Sequence, residues 1–397
     1  MEPFDGSICV FPESMYQPII PGLPDDLALY CLARLSHGHH GLLETVSKRW
    51  RDVVRSDEYS NFKAREGWCG DWLFVLTEGM RNQWVAYDPE ADRWHPVPLN
   101  PRKHLPDRWP LGFSCVCVNN KFLVIGGSYE LWHPRECSFI SKEVVQFDPF
   151  KKEWSSAASM RTPRSHFACC IIDGKIYVAG GRNSDYPKGI TLAEVYDPLT
   201  DSWEDLPPMP IPLMDCIGIA YKGNFHVLSD TLGLQDRNPT EVFDPSNRKW
   251  CIKHDNWPFS RASQVSVQVT KDDRLYTVED WGESIVKTRD AEKEEWDSVG
   301  KVPPVFVSNH SRPLEAFDYG FAALGHELYV VGGKVLKWEE LGVGRFEIVK
   351  LDRVRVCDPT CSPLSWRETR PMCLTSSGSI LGCTSLKETS PKRVTDQ

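Results

Sequence analysis

The sequence predicts an all-β six-bladed propeller over residues 65–388, preceded by a small all-α module at residues 18–64. Three observations carry that prediction. A turn motif recurs with a Trp at a fixed distance. A hydrophobic run ending in Gly-Gly recurs in the same phase. A short helical stretch near the N-terminus departs from both. Composition agrees, because 15 Trp, 30 Pro and 27 Gly in 397 residues favour many short strands joined by tight turns.

The totals also exclude function classes. A formal charge of −9 argues against nucleic acid, which rewards a basic surface. No run approaches the ~18 apolar residues of a membrane span, so no membrane partner is expected. The first residues, "MEPFDGSICVFPESMYQPIIPG", show no basic n-region followed by an apolar h-region. The 14 Cys include no Cys-x-x-Cys, and close pairs such as Cys115/Cys117 and Cys169/Cys170 lie in strand-like runs. Reduced, packed thiols are expected, in the cytoplasm or the nucleus. Residues 1–17 are expected to be a flexible N-terminal tail and residues 389–397 a C-terminal tail.

The turn motif reads Tyr87-Asp88-Pro89 to Trp94, Phe147-Asp148-Pro149 to Trp154, Tyr196-Asp197-Pro198 to Trp203, and Phe243-Asp244-Pro245 to Trp250. In all four the Trp follows the Asp by six residues. Asp290 and Trp296 keep the distance without the aromatic or the Pro, while Asp358-Pro359 stretches it to eight, at Trp366. From Trp94 the Trp-to-Trp intervals are 60, 49, 47, 46 and 70, a period near 47 with insertions. In Asp-Pro the carboxylate can bond forward to the backbone while Pro pre-sets φ for the turn. The Trp then falls on the next strand, where a flat side chain can pack on the neighbouring unit.

The Gly-Gly runs are "KFLVIGG" (Gly126, Gly127), "KIYVAGG" (Gly180, Gly181) and "ELYVVGG" (Gly332, Gly333), and "NFHVLSD" and "RLYTVED" hold the same phase without the glycines. Gly-Gly lets a strand end with positive φ and close backbone approach. Another apolar run precedes each, so every unit reads as four strands, a to d.

These residues resemble the kelch repeat, with its double Gly, aromatic-Asp-Pro and spaced Trp, over roughly Trp72 to Leu386. The first unit has strands b ("DWLFVLTE"), c ("WVAYD") and d ("RWHPV") but no strand a. The orphan strand at 378–386, "GSILGCTSL", is expected to complete that blade and close the ring, which gives six blades with no open edge.

Antiparallel order puts the a–b and c–d loops on one face and the b–c and d–a loops on the other. The a–b turns are short, whereas the b–c connections vary, the interval from the Gly-Gly position to the next motif Asp being 21, 16, 14, 10 and 25 residues in blades 2 to 6. Length variation on a rigid frame marks a recognition side. Its candidate binding residues are Arg161, Arg164, Arg261 and Arg312 on d–a loops, with Arg182, Tyr186, Trp281 and Trp338 on b–c loops. Arg and aromatics anchor protein interfaces, although each of these residues also fits ordinary loop decoration.

In the N-terminal module, Leu23-Pro24 opens a helix with Asp25 and Asp26 in its first turn, where the dipole favours acids. Ala28, Leu32 and Leu35 recur at i, i+4 and i+7, and a second helical stretch aligns Leu43, Val46, Trp50 and Val53. So short a segment cannot bury this apolar surface alone, so part of it should meet a partner or the propeller itself. The connection "SHGHHGLL" carries His37, His39 and His40, for which a solvated loop is expected rather than a metal site.

The stretch resembles the F-box: Leu-Pro-Asp-Asp-Leu, a Leu-rich helix ending Arg34-Leu35, then Val46-Ser47-Lys48-Arg49-Trp50-Arg51, with Ser36 where family members often have Pro. The resemblance implies docking into the adaptor Skp1 and, through it, a cullin–RING ubiquitin ligase. It puts Leu23, Pro24, Leu27, Leu32, Leu35, Leu42, Val46 and Trp50 at the adaptor contact or the core beneath it. An F-box followed by kelch repeats is similar to an architecture abundant in plants. The expected function is a non-catalytic substrate-recognition subunit whose propeller holds an unknown protein. A kelch scaffold acting without the ligase is the alternative.

An enzyme on a propeller is less supported. The Ser-x-Asp-x-Gly-x-Thr-Trp box of sialidases is missing, no Glu is followed by Asp four positions later as in the iron motif of plant specifier proteins, and no copper set of Tyr and His stands out as in galactose oxidase. No cofactor is expected.

Overall fold

The computed structural model describes residues 18–79, 82–101, 108–129, 139–229, 239–254, 257–258, 267–269, 274–279, 283–289, 295–308, 310, 312–338, 346–373 and 377–386. The chain divides into two compact units, residues 71–387 and residues 1–70 with 388–397. The boundary falls at Gly70/Asp71 rather than at 64/65. The last helix runs to Arg65, and Trp68 beyond it packs edge-on to Tyr30 at 4.8 Å and Phe62 at 6.0 Å.

The larger unit is the six-bladed propeller: six four-stranded antiparallel sheets, each in the order a-b-c-d. Blade 2 runs Ser114–Val118, Lys121–Ile125, Val144–Asp148 and Glu153–Ala157. Blade 3 runs Ala168–Ile172, Lys175–Ala179, Ala193–Asp197 and Ser202–Leu206. Blade 4 follows with Cys216–Tyr221, Asn224–Ser229, Thr240–Asp244 and Lys249–Lys253, and blade 5 with Val267–Val269, Leu275–Glu279, Ile285–Arg289 and Trp296–Lys301. Blade 6 is Gly320–Leu324, Glu327–Val331, Val354–Cys357 and Trp366–Glu368. Blade 1 joins both ends of the unit. Ile380–Leu386 supplies strand a beside Trp72–Thr77, with Trp72 opposite Leu386 and Val75 opposite Cys383, and Val85–Asp88 and Arg93–Pro96 complete it.

The core lies between blades. Phe74 of blade 1 stacks on Phe122 of blade 2 at 4.6 Å, and Ile125 of blade 2 shares a cluster with Val178 and Tyr196 of blade 3. Strand b of blade 1 is buried along its whole length, while strand d of blade 3 exposes Ser202, Glu204 and Asp205. Burying six strands of this kind supplies about 25 cal/mol per Å² of apolar surface removed from water, which drives the ring together.

The repeated motif is the mortar. The turn Asp carboxylates accept forward amides, as Asp148 does from Phe150 at 2.9 Å and Lys151 at 3.0 Å. In blades 2, 3, 4 and 6 the Trp indole then donates to a carbonyl at the end of strand d of the preceding blade or just past it: Trp154 to Pro98 at 2.7 Å, Trp203 to Ala158 at 2.7 Å, Trp250 to Pro207 at 2.7 Å and Trp366 to Lys301 at 2.9 Å. In blade 5 the seam is built differently. Asp290 lies outside the described residues, and Arg289 stands where the motifs of blades 1 to 4 have an aromatic. Its guanidinium lies 4.6 Å from the Trp257 ring centre and 5.7 Å from that of Trp296, so cation–π contact takes over from ring packing.

All six glycines of the Gly-Gly pairs have positive φ. At Gly181 (φ 104°) a Cβ would lie 2.8 Å from the Ser165 carbonyl, which leaves room for glycine alone. Where the pair is missing, strand b instead runs on by one residue, through Ser229 in blade 4 and Glu279 in blade 5. The long b–c connections of blades 2 and 6 fold into second hairpins, Ser128–Tyr129 with Phe139–Ile140 and Lys334–Trp338 with Phe346–Lys350.

The smaller unit holds four helices: α1 (Asp25–Ala33), α2 (His40–Val46), α3 (Lys48–Val54) and α4 (Asp57–Arg65). The expected second helix is therefore two. Ser47 is extended, with φ −159°, and its hydroxyl caps α3 by accepting the Trp50 amide at 3.0 Å. Leu43 and Val46 thus do not share one continuous helical face with Trp50 and Val53. The solvated histidine loop is also corrected. His37 and His40 are buried, their rings 4.7 Å apart, and His40 Nε2 lies 3.1 Å from the Tyr59 hydroxyl, which donates to the Leu32 carbonyl. The connection is part of the module's core because His40 packs against Tyr59 of α4, their rings 5.4 Å apart. Lys63 closes the same corner, donating from Nζ to the carbonyls of Ala33 and Leu35 at the end of α1.

Candidate protein-binding sites

In the helical unit the Leu-rich positions separate into two sets. Leu32 joins Ala28, Ala33, Leu43, Val54 and Tyr59 in the core, with Leu23 and Trp50 packed at its edge. The Trp50 indole donates to the Ile19 carbonyl, and Arg49 pairs with Asp25 at 3.3 Å, so the start of α1 is tied to α3. By contrast Leu27 is 50% exposed, Leu35 38%, Leu42 62% and Val46 59%, and Pro24 is exposed as well. Large apolar side chains left in water on so small a unit mark a candidate interaction surface.

On the propeller, the b–c/d–a side carries the second candidate surface, and the side chains expected there differ in role. Arg164 is taken out of it. The residue is fully buried and donates to Glu194 at 2.6 Å and to the carbonyls of Gly180 and Leu192, while the same carboxylate accepts the amides of Arg161 and Thr162. It locks the d–a loop to strand c of blade 3. Arg161 is exposed, but its guanidinium is held by Asp205 and the Trp203 carbonyl on the neighbouring blade. Arg182 makes a two-pronged pair with Asp215 at 2.8 Å, which raises its pKa further. Tyr186, Arg312 and Trp338 are exposed, and Arg261 and Trp281 lie outside the described residues.

At the centre of this side the first residues of strands a from blades 1 to 4 enclose a cavity of 260 Å³, lined among others by Phe113, His166, Phe167, Ile217 and Ile380. Burial, with Arg182 nearby, holds the His166 pKa below its usual value, so the imidazole is neutral at neutral pH. Thiols in the same wall, including Cys115 and Cys169, are pushed up by burial and stay protonated. Among the described residues no group of three or more His, Cys, Asp or Glu is placed to hold a metal.

Other exposed apolar groups on this side were not singled out by the sequence: Phe139, Phe306, Phe346 and Ile348. The last two had a legible signal. "KVLKW" and "FEIVK" are short runs rich in β-branched and aromatic residues, the mark of strands.

A ring of blades with variable loops on one side, on a chain that also carries a helical unit with exposed apolar side chains, defines a six-bladed propeller protein with two candidate binding surfaces. Residues 96–303 match the family described as "FKB95, Kelch-repeats domain", and residues 20–60 match the "F-box domain". The chain is 60% identical over 383 residues to F-box/kelch-repeat protein At1g16250 of Arabidopsis thaliana, covering 96% of this chain and 100% of that one. It is 28% identical to F-box/kelch-repeat protein SKIP30 of the same plant, covering 96% and 99%, and 30% identical to F-box/kelch-repeat protein At1g67480, covering 72% and 73%. The chain belongs to the F-box/kelch-repeat family. Membership implies, in general, a substrate-adaptor role in a Skp1–cullin–F-box ligase.

Proposed function

We propose that this protein is the substrate-recognition subunit of a Skp1–cullin–F-box ubiquitin ligase. The row of Leu27, Leu35, Leu42 and Val46 seats a Skp1-type adaptor, and the b–c/d–a side of the propeller holds a protein for ubiquitin transfer. The observation that carries the reading is the exposure of those four side chains while the module's core is filled by others. Each could gain about 1.5–3 kcal/mol on burial, less the costs of association. No residue of the chain need do chemistry. Tethering raises the effective concentration of the bound protein near the activated ubiquitin. The reading places this work in the cytoplasm or the nucleus.

The test is co-purification with Skp1. The full-length protein captures it, whereas Leu27→Asp and Leu42→Asp variants do not, although their melting is unchanged. Normal capture by both variants sinks the assignment.

A further inference from the structure

The hairpin Lys334–Trp338/Phe346–Lys350 in the b–c connection of blade 6 has two faces of opposite character. Opposed residues share a face, and the register pairs Trp338 with Phe346, Leu336 with Ile348 and Lys334 with Lys350. The intervening pair Val335 and Val349 turns inward, Val335 fully buried and Val349 packed on the cluster that contains Val305. That contact anchors the hairpin. On the outward face Trp338 is 55% exposed, Phe346 54% and Ile348 48%, and the two rings meet edge-on at 5.5 Å. Two anchored strands therefore hold an apolar strip in water. Among the described residues no third strand pairs with them.

Charge at the base of the strip says what kind of partner fits. Lys334 is bound to Glu78 at 2.6 Å. Lys350 adds a second ammonium whose stem lies along Gly378, 3.2 Å from where a Cβ would stand there. Lys334, by its bond, and Lys350, by its charge, hold the Glu78 pKa down, so among the described residues two positive charges share one carboxylate and the base keeps one in excess.

We infer that this hairpin face is the docking site for an extended, apolar segment of a partner protein that carries an acidic side chain at one end. The inference rests on the reading that the b–c/d–a side takes the substrate, and it names the chemistry of that substrate. In an extended segment alternate residues point the same way. Apolar side chains over Trp338/Phe346 and Leu336/Ile348 therefore put the acidic residue two positions beyond the second of them, over Lys350. The occupant is an alternating apolar-x-apolar-x-acidic segment.

The experiment is selection of short random peptides displayed on phage against the full-length protein. Wild type enriches the apolar-x-apolar-x-acidic pattern. Lys350→Glu converts the acidic position to Lys or Arg, and Trp338→Ala or Phe346→Ala lowers affinity for the selected peptide by at least about tenfold. These side chains are exposed, so melting curves should match wild type. An unchanged consensus with Lys350→Glu, or undiminished binding by both alanine variants, overturns the inference. So does a dimer in light scattering that dissociates on Trp338→Ala, which would assign the face to a second copy. Skp1 capture is read separately on the same variants. Its loss would indict the adaptor reading, and its persistence with no selectable peptide would indict this one.

Discussion

Trp94 and Arg370 stand 276 positions apart in the chain, yet the Trp94 indole Nε1 donates to the Arg370 carbonyl at 2.9 Å. The Arg370 amide in turn donates to Asp92 at 2.9 Å, and the Tyr87 hydroxyl donates to the same carboxylate at 2.8 Å. Between blades 2 and 3 the identical clamp closes on Ala158, whose carbonyl accepts from Trp203 at 2.7 Å and whose amide donates to Asp201 at 2.8 Å. The ring thus closes with the same joint that it uses internally. Trp94→Phe keeps most of the ring contact and removes one donor, so it should cost about 1 kcal/mol. Trp203→Phe should cost a similar amount. Urea unfolding of the two variants checks this, and a negligible effect at Trp94 alone would show a looser closing seam.

The Arg164–Glu194 pair makes a sharper prediction, because both partners are out of water. Arg164→Met strands a buried carboxylate and should destabilise the protein by about 3–5 kcal/mol. Removing both, with Arg164→Met and Glu194→Leu together, should recover much of that loss. Additive losses in the double variant would argue that the pair is not coupled.

Glu241 occupies in blade 4 the place that Glu194 holds in blade 3, but its arginine is gone. Gly127 donates to the Arg164 carbonyl just as Gly181 donates to that of Leu213, so Leu213 stands where Arg164 does. Glu241 is fully buried and accepts only the Ile211 amide, at 3.3 Å, among the described residues; burial raises its pKa to about 7. The folded state then holds a proton that the unfolded chain releases above about 4.5. Stability from this group is intact below pH 4.5, falls as the pH rises towards 7, and is flat beyond. Glu241→Gln should remove that slope and stabilise the protein at pH 8. Thermal melts of both forms across that range are the check. Asp201 works with the opposite sign: the Ala158 amide and the Tyr196 hydroxyl hold its pKa down, so its contribution is lost only on acidification.

Leu32 and Leu42 belong to one Leu-rich pattern but should fail differently. Leu42→Asp leaves the helical unit folded and removes adaptor capture. Leu32→Asp puts a charge into the core beside Tyr59 and should unfold the unit. Limited proteolysis separates the two outcomes. Protease resistance in Leu32→Asp would contradict the burial seen here.

Gly218 tests the centre of the ring. A Cβ there would meet the Cys169 amide nitrogen at 2.3 Å, so strands a of blades 3 and 4 touch through glycine. Gly218→Ala should lower the melting temperature and alter the hydrogen exchange of both strands. An unchanged melt would mean that these strands can separate freely.

The sequence by itself determined the architecture. The Asp-to-Trp distance and the Gly-Gly phase are local in origin, set by turn chemistry and strand length, and they repeat often enough to fix the number of blades and to identify the orphan strand at 378–386. It also indicated that some apolar side chains between Leu23 and Trp50 stay outside the module's own core, because they are too many for so short a segment to bury. Only the tertiary structure decided which ones. Leu32 and Leu42 read alike in the chain, and the break at Ser47 together with the buried His37 and His40 turns one inward and the other out. The same is true of the arginines. Arg161, Arg164 and Arg182 are one residue type in neighbouring loops, yet Glu194, nearest in space to Arg164 and thirty positions away in sequence, draws that guanidinium into the blade. Burial and charge pairing depend on what another blade brings alongside, and a periodic sequence records the blades without recording which side chains they trap.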